Sequence, residues 1–215
     1  MENNKKGHIY VNSHPRSGST YFVSLLENRY GFWQKTNDHL LSTIWKEHYP
    51  QVLLSDIPDT IQISIVRDPI DCLSSSVIKD MGDFITAYKP DRPEFYDFYF
   101  KHKIEVYNKY IDNIISNSDN LLAISFESVV SKDASIVEKI DSLTSLVPIK
   151  DFKESSDAAE RSMKKSNTYT PFHNNYPMFK PPVYAEYKDK IKSYKEDLLK
   201  ETYQKYNYLK SEVLL

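Results

Sequence analysis

The chain has 215 residues, 40% hydrophobic and 27% charged, a composition typical of a globular protein and not of a disordered segment. Its 28 basic and 30 acidic side chains give a formal net charge of −2, which argues against binding along an extended nucleic acid. The sequence has one cysteine, so no disulfide can form within the chain, and it has no apolar run long enough to span a bilayer. Residues 1–6 are polar and lack the apolar region of a signal peptide. We therefore expect a cytoplasmic protein.

The first predicted unit is a strand, a polar turn and a helix. Residues 8–12 are β-branched and aromatic, as in a strand, and residues 14–20 form a polar turn with a proline and a glycine. Residues 21–28 have apolar side chains at helical spacing, and Gly31 is placed to end that helix.

A second unit of the same kind follows a short connecting region. A capped short helix is predicted to run through Trp45, and a turn-rich stretch covers residues 47–59. Residues 61–66 form a strongly β-prone segment, and Pro69 can start a helix that continues to about residue 79.

The remaining elements are predicted from periodicity and composition. Residues 93–116 show the spacing of an amphipathic helix, residues 121–126 form a third strand and residues 132–146 form a helix. Residues 151–182 are predicted to be irregular, with a long loop, and a final helix covers residues 184–208.

Repeated strand–loop–helix units favour a parallel sheet, because parallel strands need crossover connections. The sequence contains no internal repeat, low-complexity tract or visible domain boundary. We therefore predict a single domain over residues 1–215, with an α/β fold in which helices flank a central parallel β-sheet in three layers.

The turn at residues 15–20, with the sequence PRSGST, has the composition of an anion site. A helix N-terminus offers unpaired N–H groups and the positive end of the helix dipole. Gly18 permits close approach of the backbone, and Arg16 adds a permanent charge. Hydroxyl donors come from Ser17, Ser19 and Thr20. The turn is predicted to bind a phosphate or sulfonate group; a turn that only caps the helix is the alternative.

A second cationic segment follows the next predicted strand. Arg67 lies at the end of that strand, and Ser75 lies about two turns into the helix that Pro69 begins. The pair could bind a second anion, whereas the alternative is a strand-end arginine followed by small packing residues.

Together the two segments resemble the motifs of the PAPS-dependent sulfotransferase family, where PAPS is 3′-phosphoadenosine 5′-phosphosulfate. The family pattern P-[KR]-[SG]-G-[ST]-[ST] binds the 5′-phosphosulfate and corresponds to residues 15–20. The pattern R-[DN]-P-x-D-x-x-x-S binds the 3′-phosphate and matches residues 67–75 at each fixed position. The resemblance implies a fold related to the nucleoside kinases, sulfonate transfer to a hydroxyl or amine, adenosine 3′,5′-bisphosphate as product and no metal.

The resemblance also implies roles for individual residues. Arg16 would stabilise charge on the transferred group. His48, in the segment KEHYP that resembles the family's K-x-H-x-P, would be the general base. His39 and Glu27 are the competing bases, and His14 is expected to support the turn or to contact phosphate.

Two aromatic side chains occupy positions that neighbour the adenine in the family. They are Tyr21, directly after the turn, and Phe126, at the end of the third predicted strand. Packing in the core is the alternative for each of them. The late basic contact to the 3′-phosphate is not assigned by sequence; its candidates are Lys164, Lys165, His173 and Lys180.

The sequence alone leaves other functions open. An ATP-dependent small-molecule kinase of the same fold superfamily is one, although the loop G-x-x-x-x-G-K-[ST] is absent. A catalytically inactive nucleotide-binding protein is another. The acceptor, a small molecule or a carbohydrate, is not indicated, and neither is the oligomeric state. The aromatic-rich residues 84–110 could line an acceptor pocket, but core packing is the preferred interpretation.

Overall fold

The described parts of the chain form a four-stranded parallel sheet in the order β2-β1-β3-β4. The structure, a computed structural model, describes residues 5–14, 17–32, 43–47, 58–76, 93–165, 189 and 196–215. The strands are β1 (His8–Ser13), β2 (Ile44–Glu47), β3 (Thr60–Val66) and β4 (Leu122–Ser125). The predicted α/β class, with helices flanking a parallel sheet, is confirmed.

Helices follow or connect the strands along the described parts of the chain. They are α1 (Ser19–Tyr30), α2 (69–76), α3 (Pro93–Ser116), α4 (Phe126–Val130), α5 (Ala134–Leu143), α6 (Phe152–Lys165) and α7 (Glu196–Glu212), with a 3₁₀ turn at Ser118–Asn120. None of the helices in these ranges is long and apolar enough to cross a membrane.

Two apolar layers cover the two faces of the sheet. Alternate residues of a strand point to opposite faces, and the side chains of Ile9 and Ile63 are buried with those of α1, α5 and α6. On the other face, Val66 and Ala123 pack with α2, α3 and α7. The helices therefore form one layer on each face of the sheet. Because the strands are parallel, all their carboxyl ends lie at the same edge of the sheet.

The strand order places a topological switch point between β1 and β3. The chain leaves β1 for β2 on one side and returns to β3 on the other, and the helices that follow β1 and β3, which are α1 and α2, pack on opposite faces of the sheet. In open α/β sheets, ligands bind at the carboxyl ends of the strands at such a point. The carboxyl ends are level, because Ser13 pairs with Ile65 and Val66 pairs with Ser125. The segments that follow β1, β3 and β4 consequently meet at one edge.

The prediction of a helix through Trp45 is wrong. The described part of that region, Ile44–Glu47, is a strand that pairs with β1, with Ile9 opposite Ile44 and Tyr10 opposite Trp45. Ile44 and Trp45 are buried in this pairing. Four residues carry too little periodicity to distinguish a strand from a helix, and the pairing with β1 decides the outcome.

The irregular segment predicted from residue 151 begins instead with helix α6. Its buried face consists of small side chains, Ser155, Ser156 and Ala159, which pack against α1 and give no apolar stripe in the sequence. A reciprocal cap starts the helix: Asp151 Oδ1 accepts from the Glu154 N–H at 2.7 Å, and Glu154 Oε2 accepts from the Asp151 N–H at 3.3 Å. That capping box is the signal in the sequence for a helix.

Candidate functional site

The predicted site residues fall into two groups. Arg16, His39 and His48 lie outside the described residues, as do His173 and Lys180. The turn residues from Ser17 to Thr20, with Tyr21, Glu27, Arg67, Ser75 and Phe126, lie in the described parts of the chain. Lys164 and Lys165 belong to the end of α6 and not to the loop in which they were predicted.

The turn after β1 presents the N-terminus of α1 at the switch point. Gly18 is the N-cap residue of α1 in the left-handed conformation, with φ 78° and ψ 4°, which explains why glycine occupies this position. The first turn of α1 carries no acidic side chain. By contrast, Ser125 caps α4 and Asp133 caps α5 through side-chain acceptors. The positive end of the α1 dipole is therefore not offset by a carboxylate of its own first turn.

Phe126 links the two predicted motifs. A methyl group added at Gly18 would lie 2.8 Å from Cε2 and 2.9 Å from Cδ2 of the Phe126 ring. The guanidinium carbon of Arg67 lies 4.4 Å from the centroid of the same ring, in cation–π geometry. One aromatic ring from the start of α4 thus touches both the turn after β1 and the arginine after β3.

Arg67 is followed directly by the cap of α2. Asp68 Oδ1 accepts from the Asp71 N–H at 3.1 Å, and Pro69 occupies the first helical position, where a missing N–H costs nothing. The Tyr203 hydroxyl of α7 donates to the Asp68 carboxylate, 3.2 Å from Oδ2. The fixed Asp-Pro pair of the motif therefore starts the helix that carries the half-buried Ser75.

A second contact between the motifs lies beneath the turn. Cys72 Sγ of α2 is 3.1 Å from His14 Nδ1 and 3.6 Å from Ser17 Oγ, and all three residues are buried. His14 thus has the position expected of a residue that supports the turn. This contact was not predicted. A single cysteine in the sequence shows only that no disulfide can form within the chain, and nothing around Cys72 indicates that its thiol contacts the turn.

Lys46 brings a third strand end to the site. At the end of β2, its Nζ donates to Thr20 Oγ1 at 2.8 Å. Burial lowers the pKa of Lys46 below its ordinary value, and the nearby Glu27 carboxylate opposes that shift. The KEHYP segment pointed to His48 as its functional residue, whereas the structure places the ammonium of Lys46 beside the turn.

Two tyrosines of α3 contact the backbone at the carboxyl ends of the paired strands β1 and β3. The Tyr107 hydroxyl donates to the Arg67 carbonyl, and the Tyr110 hydroxyl lies 3.0 Å from the Ile65 carbonyl and 3.4 Å from that of Asn12. Burial raises the pKa of both tyrosines above the ordinary value, so both stay protonated donors. Within the described part of residues 84–110, core packing is confirmed for Phe100, Tyr107 and Tyr110, whereas Phe98 is exposed.

Tyr21 points toward α6. Its hydroxyl lies 2.9 Å from Ser156 Oγ, and its ring packs against the core on the α1 side of the sheet. The predicted place of Tyr21 beside an adenine stays a prediction.

The site therefore combines a helix N-terminus, Lys46 and Arg67 at the carboxyl ends of neighbouring parallel strands, with Phe126 between the turn and the arginine. Within the described ranges, no group of three or more His, Cys, Asp or Glu side chains is arranged to hold a metal ion. When the chain is compared with known proteins, no family model and no curated protein matches it.

Proposed function

We propose that the chain is a sulfotransferase that moves a sulfonate group from PAPS to a hydroxyl or amine of an acceptor. One observation carries the proposal. The Phe126 ring lies within contact of both Gly18 and the Arg67 guanidinium, so the two segments that resemble the family motifs meet at one edge of the sheet. Two motifs that are distant in sequence need this proximity to bind opposite ends of one nucleotide.

The charges at this edge suit a ligand with two anionic ends. The N-terminus of α1 and Lys46 would bind the 5′-phosphosulfate, together with the hydroxyls of the turn. Arg67 and Ser75 would bind the 3′-phosphate. The guanidinium carbon lies 4.4 Å from the centroid of the Phe126 ring, and a guanidinium can bind phosphate oxygens through two parallel N–H groups.

In the proposed reaction the acceptor oxygen or nitrogen forms a bond to sulfur while the bond from sulfur to the 5′-phosphate oxygen breaks. The acceptor proton passes to a base, for which His48 is the first candidate. Charge on the leaving phosphate oxygen would be stabilised by Arg16, Lys46 and the backbone N–H groups of the first turn of α1. Catalysis would then consist of positioning two groups in line and of electrostatic stabilisation.

Nucleotide selectivity tests the proposal. We expect adenosine 3′,5′-bisphosphate to raise the melting temperature and to bind by calorimetry more tightly than ATP with Mg²⁺, because ligands stabilise the folded state by mass action. Turnover should follow when PAPS is supplied with a panel of phenols, alcohols, sugars and amines. Preference for ATP with Mg²⁺ would favour a kinase. Binding of the bisphosphate without turnover on any acceptor would favour a binding protein that has lost catalysis.

The Lys46→Met variant tests the contribution of the Lys46 ammonium. Methionine keeps the packing of the side chain but removes the charge, so affinity for adenosine 3′,5′-bisphosphate should fall about tenfold, the effect of one charge-assisted hydrogen bond. Because the pKa of Lys46 lies below its ordinary value of 10.5, the ammonium loses its proton before the pH reaches 10.5. The affinity of the wild-type protein for the bisphosphate should decline over the same pH range. In the variant this decline should be absent from calorimetric titrations over the alkaline range.

The thermal stability of Lys46→Met provides a second, independent test of the lowered pKa of Lys46. A lysine whose pKa is lower in the folded state opposes folding while it is protonated, and this opposition fades as the pH rises toward 10.5. Lys46→Met should therefore not lower the melting temperature at neutral pH. Lys101→Met, which removes an exposed cation from α3, is the control and should leave both affinity and its pH dependence unchanged. An alkaline decline that persists in Lys46→Met would contradict the assignment.

A further inference from the structure

We propose that His14, Ser17 and Cys72 form a clasp that fixes the distance between the two anion-binding segments, and that His14 and Cys72 are thereby positioning residues for the nucleotide. The inference rests on the proposed function and adds the residues that set its geometry. His14 and Ser17 belong to the segment after β1, whereas Cys72 belongs to α2, on the segment after β3.

The clasp is placed where relative movement of the segments would matter. Its members are at most 1% exposed, and they join parts of the chain that are 58 residues apart in sequence. Cys72 lies in the first turn of α2, between Arg67 and Ser75, so a shift of α2 against the turn would move the proposed 3′-phosphate pocket away from the α1 N-terminus.

The surroundings hold the clasp in one arrangement. The His14 ring lies edge-on to Tyr107, with 5.3 Å between centroids, and Tyr107 donates to the Arg67 carbonyl. Tyr110, 6.3 Å from the His14 ring, bridges the carbonyls at the ends of β1 and β3. The His14–Cys72 contact therefore links the turn to α2 beside two buried tyrosines.

A clasp of this kind has a signature that general stabilisation lacks. A ligand with two anionic ends gains affinity only if both pockets are held at the correct distance, whereas a ligand with one anionic end is indifferent to that distance. Loss of the clasp should therefore weaken adenosine 3′,5′-bisphosphate selectively. Adenosine 5′-phosphate and adenosine 3′-phosphate, each with one phosphate, report on the separate pockets.

Calorimetry with the three nucleotides tests the clasp in Cys72→Ala and Cys72→Ser. We expect Cys72→Ala to weaken the bisphosphate about tenfold and each monophosphate by less than about twofold. Cys72→Ser keeps a hydrogen-bonding group near His14 and should recover part of the loss. If Cys72→Ala does not fold, Cys72→Ser and His14→Asn still decide the matter, because Cys72→Ser should show a smaller selective loss of the bisphosphate and His14→Asn the full selective loss. Val137→Ala shortens a buried side chain on the opposite face of the sheet and should lower the melting temperature without selective loss.

The results separate the clasp from the function on which it rests. If the wild-type protein does not prefer the bisphosphate to the monophosphates, the proposed function and the clasp are both overturned. If it does, and the clasp variants keep that preference or weaken all three nucleotides equally, the clasp alone is overturned.

Discussion

Replacing Gly18 with alanine should reduce affinity for adenosine 3′,5′-bisphosphate more than about tenfold, or about 1.4 kcal/mol. The reason is geometric. The φ of 78° is unfavourable for alanine, and its methyl group would lie 2.8 Å from Phe126, whose ring centroid lies 4.4 Å from the Arg67 guanidinium carbon. Relief of that contact must move either the turn or the ring, and each belongs to the proposed site. Isothermal titration calorimetry measures the loss.

Gly31→Ala is a matched control at the other end of the same helix. Gly31 has φ 77°, and its added methyl group would lie 2.7 Å from Ile149 Cδ1, the end of a flexible side chain that is 64% exposed. Both substitutions therefore carry the same backbone penalty of about 1–2 kcal/mol for alanine at positive φ. In Gly31→Ala, however, the exposed Ile149 side chain can move into solvent and relieve the close contact. Both variants should unfold at a lower temperature, and only Gly18→Ala should lose the ligand. Equal ligand loss in the two variants would assign the effect to α1 as a whole.

Arg67→Gln should abolish most binding of the second phosphate. Loss of a charge-assisted, bidentate contact costs about 2–3 kcal/mol, so affinity for adenosine 3′,5′-bisphosphate should fall about 30- to 150-fold. Adenosine 5′-phosphate, which lacks the 3′-phosphate, should lose much less. Turnover with PAPS at low concentration should decline in parallel with the bisphosphate affinity.

Two further substitutions separate charge from geometry at this position. Arg67→Lys keeps the charge but lacks the planar fork of donors that binds phosphate in a bidentate manner, and its affinity should lie between those of wild type and Arg67→Gln. Arg161→Gln removes one positive charge from an exposed position of α6 and should change little. If Arg67→Gln weakened the 5′-phosphate as strongly as the bisphosphate, Arg67 would not be specific for the second anion.

The elements that could be predicted from sequence are those whose signal is local. Residues 93–116 carry an apolar stripe along the whole segment, and α3 (Pro93–Ser116) has the predicted bounds. β1 and β3 are short β-branched runs that end in polar turns, and both are confirmed. By contrast, β2 is a strand because β1 lies beside it, and the buried face of α6 is made of serine and alanine. Neither of these features is encoded in apolar periodicity.

The site was predictable in its parts but not in its connections. A glycine between a strand and a helix and an arginine at a strand end are visible in one sequence, because each has a local reason. The contact of Cys72 with His14 and that of Lys46 with Thr20 arise only from the strand order, which brings distant segments together. Phe126 was placed near the site by resemblance alone; its position between Gly18 and Arg67 required the structure.

The origin of the Phe126 ring has a consequence for when the site comes into existence. Both segments proposed to bind anions lie within the first 76 residues, but the ring that contacts both of them follows β4, which pairs with β3 through Val66 and Ser125. A nascent chain that emerges from its N-terminus would display both segments before β4 docks. Competence to hold a nucleotide would thus be acquired only when β4 has docked, and a bound nucleotide would favour that docked state.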